Sequence, residues 1–281
     1  QRDRRDECLQ LMKTVGAPAG DAQRKIDLRR RRNLHRLQSV HQNRKKNRMK
    51  SKTSAAAEKI IVALDVPTRV EALRLVELLR PRISLFKVGL QLYTAEGPEA
   101  VRAILETGAR VFLDLKLHDI PNTVARAVES ASKLGVHMLT IHLSGGRDMI
   151  DAAVAARGES LSLLGVTVLT SMDHAALQET GIEADMGRQV LRLAQLGADG
   201  GVNGLVASPH EVKLLRDRLH AQMQLVVPGV RPSWAEHADQ KRVMTPGEAL
   251  RTGADYLVIG RPITGHRDPA EAVAKICDEL G

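Results

Sequence analysis

From residue 60 onward the chain moves between two rhythms of hydrophobic and polar positions. Short runs rich in Val, Ile and Leu read as strands: Ile60–Asp65, Ile83–Val88, Arg110–Leu115, His137–His142, Leu163–Leu169, Gly204–Ala207, Leu225–Val227 and Tyr256–Ile259. Between most of them the apolar side chains recur every three or four residues, as on one face of a helix. In the stretch from Arg69 to Leu79, for example, Ala72, Leu75, Val76 and Leu79 share a face. The punctuation agrees. Thr245-Pro246-Gly247-Glu248 has the form of a capping box with Pro at the first helical position, and Asp268-Pro269 opens the last helix in the same way. Gly108, Gly135, Gly197 and Gly253 each follow a helical stretch and precede a strand, as C-terminal caps do.

Eight strand–helix units in succession predict an α/β protein with a parallel sheet, closed into a (β/α)8 TIM barrel. An open, doubly wound sheet is the alternative. No Gly-x-Gly-x-x-Gly follows the first strand, which argues against dinucleotide binding.

Charge divides the chain where periodicity does. The 281 residues carry a net charge of +9, but residues 1–52 hold 17 Lys/Arg against 5 Asp/Glu. The remainder is mildly acidic. Residues 1–57 therefore read as a basic N-terminal extension, disordered or loosely helical and without a catalytic role, and residues 58–281 as the barrel. Arg29-Arg30-Arg31-Arg32 and Arg44-Lys45-Lys46 would suit a nucleic-acid-binding arm. A secretory signal would need an apolar core that the extension lacks. Met49, followed by a short polar stretch and then the first strand, is expected to be the start of the working protein. Cys8 and Cys277 lie far apart with no Cys-x-x-Cys pair, so neither a zinc cage nor a disulfide framework is expected. Reduced thiols fit a cytoplasmic location. No apolar run approaches the ~18 residues that span a bilayer, so no membrane partner is expected.

The chemistry concentrates in Asp114–Thr123, DLKLHDIPNT. Residues i and i+2 at a strand end point the same way, so Asp114 and Lys116 should face one pocket. Neighbouring carboxylates favour the charged form of an ammonium, which makes Lys116 a candidate proton donor. A solvated ion pair is the plain alternative. The other strand ends weigh against it: Asp65, Lys87, His142, Thr170-Ser171, the VPGVRP run from Val227 to Pro232, and the IGRPIT run from Ile259 to Thr264. Active sites of such barrels lie at this rim, and phosphate often sits at the loops after strands 7 and 8. Gly260 would offer a close backbone N–H, and Arg261 a fork matched to phosphate oxygens. Arg231 and Gln240 belong to the long loop after strand 7, placed to fold over a ligand.

These segments resemble the orotidine 5′-phosphate decarboxylase family over residues 58–281. The DLKLHDIPNT stretch is similar to its signature, supported by Ile60–Pro67, Phe86-Lys87-Val88-Gly89, the VTVLTS run from Val166 to Ser171, VPGVRP and IGRPIT. The resemblance implies decarboxylation of orotidine 5′-monophosphate to uridine 5′-monophosphate, the last step of de novo UMP biosynthesis, with no metal or organic cofactor. It implies that Lys116 stabilises and protonates a C6 carbanion and that Asp114 crowds the substrate carboxylate. Lys87, Asp114, Lys116 and Asp119 would alternate in one charge network. Asp119 and Thr123 would reach into a partner's site in a homodimer. Asp65 and Lys87 would hold the ribose, Thr170 the pyrimidine edge, and Arg261, Gln240 and the Gly260 N–H the phosphate, with Arg231 on the closing loop. His118 is expected to be structural, and His142 lines the pocket at most. The alternatives are a magnesium-dependent sugar-phosphate decarboxylase or aldolase-type lyase on the same barrel, and a nucleic-acid-binding role for the basic extension.

Overall fold

A computed structural model describes residues 55–182, 185–235 and 244–280. Gln240 and the basic runs of the extension lie outside the described residues. Eight parallel strands close into a barrel in sequence order. They are β1 (Ile60–Ala63), β2 (Leu85–Gly89), β3 (Arg110–Leu117), β4 (Met138–His142), β5 (Ser162–Val166), β6 (Gly204–Val206), β7 (Gln224–Pro228) and β8 (Tyr256–Ile259). Closure is direct: Ile60, Ile61 and Val62 of β1 pair with Leu257, Val258 and Ile259 of β8. The sheet is therefore closed rather than open.

Period-two alternation sorts the strand residues into two cores. Ile61, Ala63, Leu85, Phe112, Met138, Leu164, Val226 and Val258 fill the barrel interior. The alternate positions, among them Val62, Phe86, Leu113, Leu139, Leu163, Leu205, Val227 and Leu257, pack outward against the helices. Ala56 and Ala57 belong to that outer core, so the packed chain starts slightly before residue 58.

The helices follow their local signals. Arg69–Leu79 begins where the Thr68 hydroxyl accepts the Glu71 N–H at 3.3 Å, and it buries Ala72, Val76 and Leu79. The capping box at Thr245 is formed in both directions: Glu248 N–H donates to Thr245 Oγ1 at 3.3 Å, and Thr245 N–H to Glu248 Oε2 at 2.9 Å. Asp268 accepts the N–H groups of Ala270 and Glu271 at 3.0 and 3.1 Å.

Three sequence expectations need correcting. Gly197 is not a helix terminator: the helix Met186–Gly200 runs through it and ends at Gly201, with φ 86°. Gly197 is small for packing instead, since a Cβ there would lie 2.8 Å from Leu143 Cδ2. Strand β5 stops at Val166 rather than Leu169, which leaves Thr167–Thr170 as rim. Strand β3 runs on to Leu117, two residues beyond the expected end. Its register against β4 shifts on the way: Leu113 faces Leu139, but Leu117 faces Ile141. Four steps along β3 thus match two along β4. A bulge must absorb the excess, and Lys116 sits in it with φ 50°.

Candidate active site

The strand ends meet at a pocket of about 300 Å³. Its charged side is built from Asp65, Lys87, Asp114 and Lys116, and its apolar wall from Phe112, Val166, Val168 and Leu169. Thr170, Gly229, Arg231, Gly260 and Arg261 are also among its lining.

Asp114 is the hub. Its carboxylate accepts from Lys116 Nζ at 2.8 and 2.9 Å and from the Thr140 hydroxyl at 3.0 Å. Lys87 Nζ lies 3.7 Å from its other side and donates to Asp65 Oδ1 at 2.9 Å. The order is Asp65–Lys87–Asp114–Lys116, alternating in sign. The side chains of Lys87 and Asp114 are only 11% and 12% exposed. Buried charge at this depth is costly unless paired and hydrogen-bonded, and here each member has a partner of opposite sign. Lys116, 29% exposed, is the more open of the two ammonium groups that line the cavity.

His142, the last residue of β4, stands 5.5 Å from His118, ring centroid to centroid. Burial, then the neighbouring His118 and Lys116, hold its imidazole below the usual histidine range, with Asp114 pulling the other way. Neither histidine lines the pocket.

The rim after β7 and β8 carries the two arginines. Arg231 is buried, and its N–H donates to Met244 O at 3.0 Å. A bridge between Val230 and Met244 closes the base of that loop. Trp234 packs edge-on against His266 at 5.6 Å, joining the two rim loops. Gly260 precedes the short helix Arg261–Thr264.

The pocket thus brings together Asp65, Lys87, Asp114, Lys116, Thr170, Arg231, Gly260 and Arg261. It does not include Asp119 or Thr123. Both are exposed, and Asp119 Oδ1 accepts the Ile120 N–H at 2.6 Å. Within one chain, then, the fourth member of the expected network is Asp65 rather than Asp119. Sequence reasoning missed Thr140. Its hydroxyl is invisible in a strand pattern, although its alternation with Met138 and His142 marks an inward position.

Among the described residues no helix is long and apolar enough to cross a membrane. Residues 58–276 match the model of the orotidine 5′-phosphate decarboxylase / HUMPS family. The orotidine 5′-phosphate decarboxylase of Moorella thermoacetica is 50% identical over 234 residues, covering 80% of this chain and 93% of that protein. The enzyme of the same name from Geobacter sp. is 48% identical over 232 residues, covering 80% and 97%. The crystal structure of orotidine 5′-phosphate decarboxylase from Lactobacillus acidophilus superposes with a TM-score of 0.70 at 33% identity, covering 80% of this chain and 99% of that one. The closed eight-stranded barrel, the charged rim and this likeness along nearly all of the barrel lead to one conclusion: the chain belongs to the orotidine 5′-phosphate decarboxylase / HUMPS family.

Proposed function

We propose that this protein is a carboxy-lyase that converts orotidine 5′-monophosphate to uridine 5′-monophosphate and CO2, closing de novo pyrimidine synthesis. The observation that carries the reading is the Lys87–Asp114–Lys116 array in a pocket that Arg231 and Arg261 also line. In the reaction the bond from C6 to the carboxylate breaks, and its electron pair stays on C6. The Lys116 ammonium, fixed by Asp114, stabilises that developing charge and then transfers a proton to C6. Solvent reprotonates the amine. Asp114 sets a negative charge beside the substrate carboxylate, a repulsion relieved as CO2 departs. Asp65 and Lys87 hold the ribose hydroxyls, and Thr170 the pyrimidine edge. Arg261, Gln240 and the Gly260 N–H take the phosphate, with Arg231 beside them. Binding energy from the phosphate is available to align C6 with Lys116. No metal or organic cofactor takes part.

The same proposal makes the working unit a homodimer, with Asp119 and Thr123 completing the neighbour's site. What supports it is the surface around them. Ile120 is 67% exposed, and Leu115 and Leu117 are half-buried over a groove of about 770 Å³. An apolar patch of this kind suits a second copy. Residues 1–57 take no part in catalysis on this reading, and a variant starting at Met49 should keep full activity. The free, buried Cys277 fits a reducing, cytoplasmic setting.

The test is loss of orotidylate absorbance in the presence of EDTA. Lys116→Ala should lower turnover by at least ~10³-fold with the fold intact. Persistent turnover in that variant would end the assignment. The family description also spans HUMPS members, so a magnesium-dependent sugar-phosphate lyase remains the second reading. Turnover abolished by EDTA, or activity on a keto-sugar phosphate, selects it instead.

A further inference from the structure

We propose that Thr140 is a positioning residue that sets the direction of the Lys116 ammonium through the backbone of the β3 bulge. The inference rests on the reading of Lys116 and Asp114 given above.

Thr140 lies on the inner face of β4, fully buried. Its hydroxyl accepts the main-chain N–H of Lys116 at 2.8 Å and lies 3.0 Å from Asp114 Oδ1. A hydroxyl has a single proton to donate. A carboxylate cannot donate, so that proton goes to Asp114. The same Asp114 oxygen accepts from Lys116 Nζ at 2.8 Å. The contacts form a ring that begins and ends on one residue: Lys116 N–H, Thr140 hydroxyl, Asp114 carboxylate, Lys116 ammonium.

The ring stands where the backbone needs it. Lys116 has φ 50°, the one positive φ on a non-glycine among the described residues. For a side chain with a Cβ that conformation is strained. The register shift there takes the Lys116 N–H out of the regular β3–β4 pairing. Thr140 supplies the missing acceptor from its side chain. Its β-branched χ1 is stiff, so the hydroxyl is a fixed point. Without it, a part-buried N–H has no acceptor, the bulge is free to relax, and the ammonium loses its aim while its charge and its ion pair remain. Substrate contacts at the ribose and phosphate rims are untouched.

The role predicts a loss in kcat rather than in KM. Thr140→Val, nearly isosteric and without the hydroxyl, should reduce kcat by roughly 10- to 100-fold with KM within about threefold of native. Thr140→Ser, which restores the hydroxyl, should return kcat to within a few-fold of native. Where the valine variant does not fold, as judged by circular dichroism, Thr140→Ala is read in its place against the serine variant. Native kcat in the hydroxyl-free variant overturns the proposal. So does a serine variant as impaired as the valine one, or a rise in KM that accounts for the whole loss. Wild-type protein is assayed alongside. Absence of orotidylate turnover in the wild type overturns the reading of the site itself, whereas an active wild type with an equally active Thr140→Val overturns only the role of Thr140.

Discussion

Lys116 and the Thr140 hydroxyl donate to Asp114 and the Lys87 ammonium lies close by, which is why a carboxylate can be kept there. The pairing of Asp114 with Lys116 is legible from their i, i+2 spacing. The left-handed backbone of Lys116 is not, because nothing about a lysine announces a positive φ. Thr140 escapes for a related reason: a Thr in a hydrophobic run scores as a strand former whatever its hydroxyl touches. A second, half-buried acid stands apart from the pocket. Burial pushes the Glu211 carboxyl up to about 7, although the Ser208 N–H donates to it at 3.0 Å. An acid whose folded pKa is raised disfavours its own ionisation. Its stabilising contribution is complete below about pH 4.5 and is lost as pH rises through about 7. Glu211→Gln keeps an acceptor for Ser208 but does not titrate. Its unfolding free energy should therefore fall less than wild type between pH 4.5 and 7.5, the difference being on the order of 2 kcal/mol. Parallel urea titrations at both pH values check it, and identical pH dependence in the two proteins would refute the assignment.

Among the elements, period and punctuation carry most of the information. All eight strands are visible as apolar runs, because parallel strands buried on both faces need continuous hydrophobic sequence. Their ends are less visible. The residues after Val166 are as apolar as those before it, yet Val168 and Leu169 serve as pocket wall rather than strand. Glycine is equally ambiguous: Gly135 ends a helix with φ 84°, whereas Gly197 lies within one because Leu143 leaves no room. Gly204 belongs to the second kind. It opens β6 inside the barrel, and a Cβ there would lie 2.6 Å from the Gln224 carbonyl oxygen of β7. Backbone cannot step aside cheaply, so Gly204→Ala should destabilise the barrel by about 1–3 kcal/mol. A lower urea midpoint with an unchanged slope is the expected result. An unchanged midpoint would show that β6 and β7 separate more easily than their pairing suggests.

At the scale of the whole molecule, closure of β1 on β8 places residues nearly two hundred positions apart on one rim: Asp65 and Arg261 line a single pocket. That proximity follows from the count of eight units and was foreseeable. The proposed contribution of a second copy was legible only through family resemblance, since Asp119 and Thr123 stand outside their own chain's pocket. The proposed dimer makes a quantitative claim. Lys116→Ala and Asp119→Ala chains should each be nearly inactive alone. In a hybrid dimer one site receives both lesions and the other receives neither. Mixing equal amounts and allowing exchange should restore about a quarter of wild-type activity, because half the dimers are hybrids and each has one intact site. No recovery, with exchange shown by mass spectrometry of the mixed dimers, would mean that Asp119 acts within its own subunit or not at all.

The bulge in β3 bears on how this site can be moved between proteins. Its excess is two residues, one full pleat, so Leu117 regains the outward sense that Leu113 had. Lengthening or shortening this stretch by a single position would turn Leu117 inward and reverse every side chain after the change. A designer grafting the charged array onto another barrel therefore cannot treat DLKLHDIPNT as a cassette. The transferable part is two neighbouring strands: β3 with its even-numbered excess, and β4 with a hydroxyl at the position that receives it.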